Sequence, residues 1–273
     1  MLKTRIITAL LLIAALLPLL FMSSNMVWAM ITLVVSLLAI YEWGKLINLS
    51  ATATAIYASL CAMLGGTVLF FMAKNGFHWL IYQSLLVFVV ALIFWFFFVP
   101  VLLTKYVVIQ NKLLLTLLGL LLLAPLWLAL VCAKGANPWL LLALLSTIWI
   151  ADTAAYFSGK QFGRRKLAPS VSPGKTWEGV IGALLGVTIF GCVLYFSTLV
   201  HSWAIFPLLW LVTLLGVVGD LFESLIKRQV NKKDSGSLLP GHGGILDRID
   251  GLIPSLPIAV LMIYLFNYFQ VVS

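Results

Sequence analysis

Residues 203–272 read WAIFPLLWLVTLLGVVGDLFESLIKRQVNKKDSGSLLPGHGGILDRIDGLIPSLPIAVLMIYLFNYFQVV. Two apolar runs flank a polar stretch, Asp220 to Asp250, that holds five acids, five bases and a Gly-His-Gly-Gly turn. A helix crosses the hydrocarbon core with about 20 apolar residues. The flanks read as membrane spans and the middle as a loop held at one surface. The rest of the chain extends the pattern: 63% of its 273 residues are hydrophobic and 9% charged, with a mean hydropathy of +1.14. Soluble domains carry roughly a quarter charged residues. Composition therefore excludes a soluble globular domain and predicts an all-α, polytopic integral membrane protein.

Working outward, apolar stretches occupy Ile6 to Met22, Met26 to Tyr41, Ala51 to Met72, Trp79 to Leu103, Leu113 to Cys132, Trp139 to Phe157, Gly179 to Val200, Trp203 to Gly219 and Leu252 to Val272, giving nine candidate helices. The second is the shortest, reaching only about 24 Å at 1.5 Å per residue, which suits little tilt or a partly interfacial position. Lys3 and Arg5 precede a first run without a small-x-small cleavage site, so it is read as a retained helix, not a signal peptide.

Threading nine spans with Lys3 and Arg5 inside places 15 of the 17 basic residues on the cytoplasmic side and only Lys74 and Lys134 outside. That asymmetry fits the positive-inside rule. Cys61, Cys132 and Cys192 sit in apolar runs with no CxxC spacing and read as small core residues. No fixed-period repeat is present.

Seven of the eight acidic residues lie between Asp152 and Asp250, so residues 1–135 are expected to be scaffold and 136–273 the catalytic region. Within the scaffold, Glu42, Trp43 and Lys45 are the only charged cluster, and their place at a helix end is read as an interfacial anchor. Asp152 falls in or just at the cytoplasmic end of the sixth span, where insertion of a carboxylate costs about 2.5–3.5 kcal/mol. It is expected to contact a polar substrate. Next, Lys160, Arg164, Arg165, Lys166 and Lys175 cluster beside glycines. Ser172-Pro173-Gly174-Lys175-Thr176 then opens a helix whose free N–H groups suit a phosphate. The GKT triplet is not a Walker A loop, because Pro169 stands where that motif needs glycine and no buried strand precedes it.

Further on, Asp220, Glu223 and Lys227 share one helical face as the eighth helix reaches the surface, with Ser224 and Arg228 beside them. Lys232, Lys233 and Asp234 lead to Pro240-Gly241-His242-Gly243-Gly244 and on to Asp247-Arg248-Ile249-Asp250. The glycines permit a tight turn with positive φ and N–H groups directed at an anion. Asp220 and Asp247 end at the mouths of the two helices flanking the loop, where hard oxygen ligands can hold Mg²⁺ against a triphosphate. His242 either donates to a phosphate or fixes the turn. His78 and His201 fall in external loops and read as interfacial.

Ser224 to Asp250 resembles the signature of the phosphatidate cytidylyltransferase (CDP-diacylglycerol synthase) family. Its Ser-x-x-Lys-Arg, Lys-Asp and His-Gly-Gly-x-x-Asp-Arg-x-Asp elements appear as Ser224, Lys227, Arg228, Lys233, Asp234, His242, Gly243, Gly244, Asp247, Arg248 and Asp250. Asp152, Tyr156, Gly159, Gly163 and SPGKTWEG are also similar to bacterial members. The resemblance implies transfer of cytidylyl from CTP to phosphatidic acid with Mg²⁺, giving CDP-diacylglycerol and pyrophosphate. It also implies metal positions at Asp220 and Asp247, contacts from the surrounding bases to nucleotide and phosphate, and a homodimer in a bacterial inner membrane.

On these grounds Asp250 and Glu223 support the metal. Lys227, Arg228, Lys233, Asp234, His242 and Arg248 are assigned to catalysis, and Asp152, Ser172, Lys175, Thr176, Ser224, Gly243 and Gly244 to substrate binding. The expected partners are CTP, phosphatidic acid and membrane lipids, with no nucleic acid. Two rivals share parts of the pattern. A transporter would use Asp152 and Asp220 as an ion relay, but the charges gather in loops and not on broken helices at the midplane. A polyprenyl-phosphate sugar-phosphate transferase would prefer a nucleotide sugar to CTP.

Overall fold

A computed structural model describes residues 2–197, 202–236, 238 and 243–272, with side chains for all of these except 2–9, 12 and 267–272. The chain is a bundle of long helices: α1 (Leu2–Met22), α2 (Asn25–Leu46), α3 (Ala51–Asn75), α4 (Phe77–Ile93) continued through a π turn (Phe94–Phe98) into α5 (Val99–Lys105), α6 (Lys112–Ala136) and α7 (Pro138–Phe162). A small hairpin, β1 (Lys166–Ala168) and β2 (Ser172–Thr176), leads to α8 (Trp177–Phe196), α9 (Ile205–Gln229), a one-turn α10 (Leu246–Ile249) and α11 (Leu252–Val272). Among the described residues eight helical segments are long and apolar enough to cross a membrane, and α1 is a further helix whose described apolar part is Ile13–Met22. The polytopic helical fold is as expected.

Two elements differ from expectation, the second helix and the segment before α8. The second helix is not short: α2 runs 22 residues, because Glu42, Trp43, Gly44 and Leu46 are buried beneath other parts of the chain instead of ending at an interface. The eighth helix continues past its apolar run to Gln229, as the helical spacing of Asp220, Glu223 and Lys227 implied, with Leu221, Phe222, Leu225 and Ile226 buried on its other side. The segment before α8 is a two-stranded antiparallel hairpin pairing Lys166 with Thr176 and Ala168 with Ser172, where the sequence suggested only a loop.

Loops assigned to the same side by counting spans do meet. Lys232 Nζ donates to Lys45 O (2.9 Å), Lys112 Nζ to Asn48 O (3.0 Å), and Gln229 Nε2 to Val107 O (2.8 Å), joining the α2–α3, α5–α6 and α9–α10 connections at one polar end. At the opposite end Lys134 Nζ donates to Ser23 O and Asn25 Oδ1, tying the α1–α2 turn to α6. Buried tryptophans stitch the helices between, Trp28 and Trp43 of α2 donating to Leu130 O and Leu115 O, and Trp127 of α6 to Ala29 O. Each indole N–H thus finds an acceptor where lipid would offer none.

One core of buried residues runs from Leu20 to Leu261, and α11 touches α4 and α6 as well as α9, so scaffold and catalytic regions share it. All three cysteines are free; Cys61 and Cys132 are buried as expected of core residues, whereas Cys192 is only half-buried.

Two features place the polar end of α9. The π turn aims Phe94 and Trp95 at Phe222, with ring centroids 5.9 and 5.4 Å apart and near edge-on. Gly219 lets α11 approach, since a Cβ there would lie 2.3 Å from Asp250 O. This crossing brings Asp250 beside the α9 carboxylates.

Candidate active site

The hairpin, the polar ends of α7 and α8, and α9 enclose a cavity of about 500 Å³, lined by Asp152, Ser172, Lys175, Thr176 and Asp220. That volume is in the ordinary range for a small-molecule pocket. The lysine of β2 reaches across it: Lys175 Nζ lies 2.6 Å from Asp220 Oδ2, while Ser224 Oγ, one turn along α9, donates to Asp220 Oδ1 at 3.3 Å. Asp152 is exposed into the same space, within electrostatic range of Asp220, Lys175 and Arg248. Tyr156, Gly159 and Lys160 also line it.

Thr176 is 5% exposed and acts as the N-cap of α8, its hydroxyl accepting the Gly179 N–H at 3.1 Å. Glu178, in the first turn, accepts the N–H groups of Arg164 (3.1 Å) and Arg165 (3.2 Å), so it clamps the turn after α7. Sequence reasoning gave Glu178 no role. The helix start that looked open to phosphate is thus partly capped from within, and the cation facing the cavity is Lys175.

A second network adjoins the first. Lys227 bridges Glu223 Oε2 (3.2 Å) and Asp247 Oδ1 (2.7 Å), with all three side chains at most 11% exposed. Asp247 also accepts the Ser235 N–H (3.0 Å to Oδ2) and the Gly244 N–H (2.9 Å), closing the loop onto itself. The turn requires glycine at 243, where φ is +82° and a Cβ would lie 2.7 Å from Asp247 Oδ2. Asp250 accepts the Gly251 N–H and lies near Asp220 and Glu223, linking the two networks.

Asp220 and Asp247 therefore stand at the same end of the bundle, with Glu223 and Lys227 between them. Arg228, Lys233, Asp234 and Arg248 are exposed around this rim, and Arg228 Nε makes a long contact to Val171 O of the hairpin turn (3.5 Å). His242 lies outside the described residues, as does His201; His78 sits in the first turn of α4, at the opposite end.

The donor set suits a divalent cation in part. Five carboxylates, Asp152, Asp220, Glu223, Asp247 and Asp250, meet three cationic side chains, Lys175, Lys227 and Arg248, and Glu223 Oε1 is buried with no hydrogen bond among the described residues. No three metal-ligating side chains among the described residues converge to cage an ion. Mg²⁺ does not need such a cage, since it is commonly held by one or two carboxylates together with substrate phosphates and waters.

With this geometry in view, comparison with known proteins is direct. The Cytidylyltransferase family matches residues 3–266. The phosphatidate cytidylyltransferase of Haemophilus influenzae is 35% identical over 280 residues, covering 94% of this chain and 96% of that protein. Its counterpart in Pseudomonas aeruginosa is 46% identical over 153 residues, about half of either chain (54% and 56%), and that of Thermotoga maritima 44% over 129 residues (44% and 47%). The chain belongs to the cytidylyltransferase family.

Proposed function

We propose that the polar end of this bundle joins a soluble nucleotide to a membrane lipid: it transfers cytidylyl from CTP to phosphatidic acid, releasing pyrophosphate and leaving CDP-diacylglycerol in the bilayer. The observation that carries this reading is the shared cavity, where a cation (Lys175) and two carboxylates (Asp152 and Asp220) meet at a helix-bundle surface beside the Lys227 network.

The reaction forms a bond from a phosphatidate oxygen to the α-phosphorus of CTP and breaks the α–β anhydride, whose electron pair leaves with pyrophosphate. A phosphomonoester has a second pKa of about 6, so at neutral pH the attacking oxygen is already largely deprotonated. No general base is needed, in keeping with a site whose described side chains include no Ser-His or Cys-His pair. Two anions must instead be held in line, and charge on the leaving group stabilised.

Lys175 on β2 pairs with Asp220 and Lys227 on α9 with Glu223 and Asp247, while Arg228, Lys233 and Arg248, exposed at the rim, would meet the triphosphate and the lipid headgroup. Asp152 orders the substrate at the α7 wall. Asp220 and Asp247, supported by Asp250 and Glu223, would hold Mg²⁺, which when bound supplies charge neutralisation at the phosphates. For that, Asp247 gives up at least one of its present bonds.

The acyl chains stay among the helices while the headgroup reaches the cavity. The positive-inside asymmetry supports a cytoplasmic placement of this end, in the inner membrane of a bacterium. A homodimer is the proposed assembly.

The test is purified protein in detergent with Mg²⁺, CTP and phosphatidic acid, followed for pyrophosphate release and label in lipid. Stoichiometric appearance of both from CTP supports the reading. Pyrophosphate or label only with a nucleotide sugar in place of CTP overturns it.

A further inference from the structure

Glu42 belongs to α2, in the half of the chain expected to be scaffold, yet it is 2% exposed and its carboxylate faces the backbone of the signature loop. Glu42 Oε2 accepts the Leu246 N–H at 3.1 Å, across 204 positions of sequence. The backbone at Ile245 and Leu238 faces the same carboxylate.

The approach is close at both ends of the loop: a Cβ at Gly236 would lie 2.4 Å from Glu42 Oε1, and one at Gly244 would lie 2.7 Å from Glu42 Oε2. α10 has no side-chain cap of its own, so Glu42 provides the acceptor its first turn lacks. On the other side of the same backbone, Asp247 accepts the N–H groups of Ser235 and Gly244. The described backbone of the loop is therefore held between two carboxylates, one paired with Lys227, the other rooted in α2.

We infer that Glu42 is a positioning residue for the transfer reaction: its bond to the Leu246 N–H, made with the carboxylate packed against Gly236 and Gly244, holds the start of α10 and thereby sets the direction in which Asp247 meets Lys227. This rests on the reading of Asp220 to Asp250 as the catalytic region. It makes α2 part of the active-site architecture, and it explains why an acid is buried in a helix that otherwise faces lipid and core.

The experiment compares Glu42→Ala, Glu42→Gln and Asp220→Asn with the wild type as purified full-length protein. It measures kcat and KM for CTP together with hydrogen–deuterium exchange. Displacing catalytic groups by about an ångström costs on the order of 100-fold in rate. Glu42→Ala should lose about that in kcat with KM for CTP little changed. Glu42→Gln, which keeps one acceptor oxygen, should be partly rescued, falling by about tenfold. Amides of residues 244–247 should exchange faster in both Glu42 variants while those in the middle of α9 do not.

Wild-type kcat in Glu42→Ala overturns the inference. So does a loss of activity that tracks the amount of folded protein, with kcat per folded molecule and exchange at 244–247 unchanged. An active Glu42→Ala beside an inactive Asp220→Asn defeats this inference alone, whereas an active Asp220→Asn defeats the reading of the site on which it rests.

Discussion

Replacing Lys227 with methionine keeps an unbranched apolar stem of similar length but removes the ammonium that stands between Glu223 and Asp247. The lysine side chain is 11% exposed, and its partners are 5% and 9% exposed, so water cannot readily replace it. Removing one partner of a buried ion pair costs about 3–5 kcal/mol, because the remaining charge is left uncompensated. Here two carboxylates would be left facing each other, which places the cost toward the upper end. For a domain of this size each kcal/mol lowers Tm by about 2–4 °C, so a fall of about 6–20 °C is expected.

Thermal unfolding of the purified protein in detergent reads the stability, and pyrophosphate release reads turnover. A second substitution separates the two. Lys227→Met with Glu223→Gln removes one of the stranded charges and should recover a large part of the Tm, because contacting residues are not additive. It should leave turnover low, because the cation at the phosphates is still missing. A single variant with wild-type Tm and turnover, or a double variant with no coupling in Tm, would refute the reasoning.

Further outcomes are expected elsewhere. Lys175→Met should raise KM for CTP or phosphatidic acid by about 10- to 150-fold with the protein level in the membrane maintained, since one charge-assisted contact is worth about 1.5–3 kcal/mol; steady-state kinetics checks this. Gly243→Ala should depress kcat while leaving secondary structure by circular dichroism intact, because φ of +82° and the contact with Asp247 both oppose a side chain. Trp43→Phe loses the bond to Leu115 O at 2.8 Å and should lower stability by about 1 kcal/mol, read as Tm, with kcat/KM for CTP unchanged. Chelation with EDTA should abolish lipid labelling, and added Mg²⁺ should restore it.

The sequence made the fold legible wherever the bilayer dictates it. Long apolar runs have one way to satisfy their backbone in lipid, so each of the nine expected helices overlaps an observed one. The ends were legible where the apolar run stops with the helix, or where charged residues keep helical spacing. α9 is the second case: its apolar run stops at Gly219, the spacing of Asp220, Glu223 and Lys227 carries the helix on, and burial of Phe222, Leu225 and Ile226 sustains it to Gln229. The hairpin at Lys166–Thr176 escaped because Pro169, Pro173 and Gly174 read as loop residues.

At the site, Asp152, Lys175 and Asp220 could be chosen from the sequence because charge within apolar surroundings is informative by itself, and the structure gathers them in one cavity. Asp247 shows the limit. Its residue type suited a metal, but its four hydrogen bonds and the lysine that supplies one of them come from geometry. Glu42 was read as an interfacial anchor, and the structure corrects this: its partner Leu246 is remote in sequence, and no local spacing rule could have joined them.

The most direct test of the proposed chemistry is a Mg²⁺ titration of CTP-dependent lipid labelling, run side by side on the wild-type protein and on Asp220→Asn. A saturable Mg²⁺ requirement in the wild type, with loss of turnover or a large shift to higher Mg²⁺ in the variant, is the predicted result. Equal turnover with the same Mg²⁺ dependence in both would contradict a metal held by carboxylates at the end of α9.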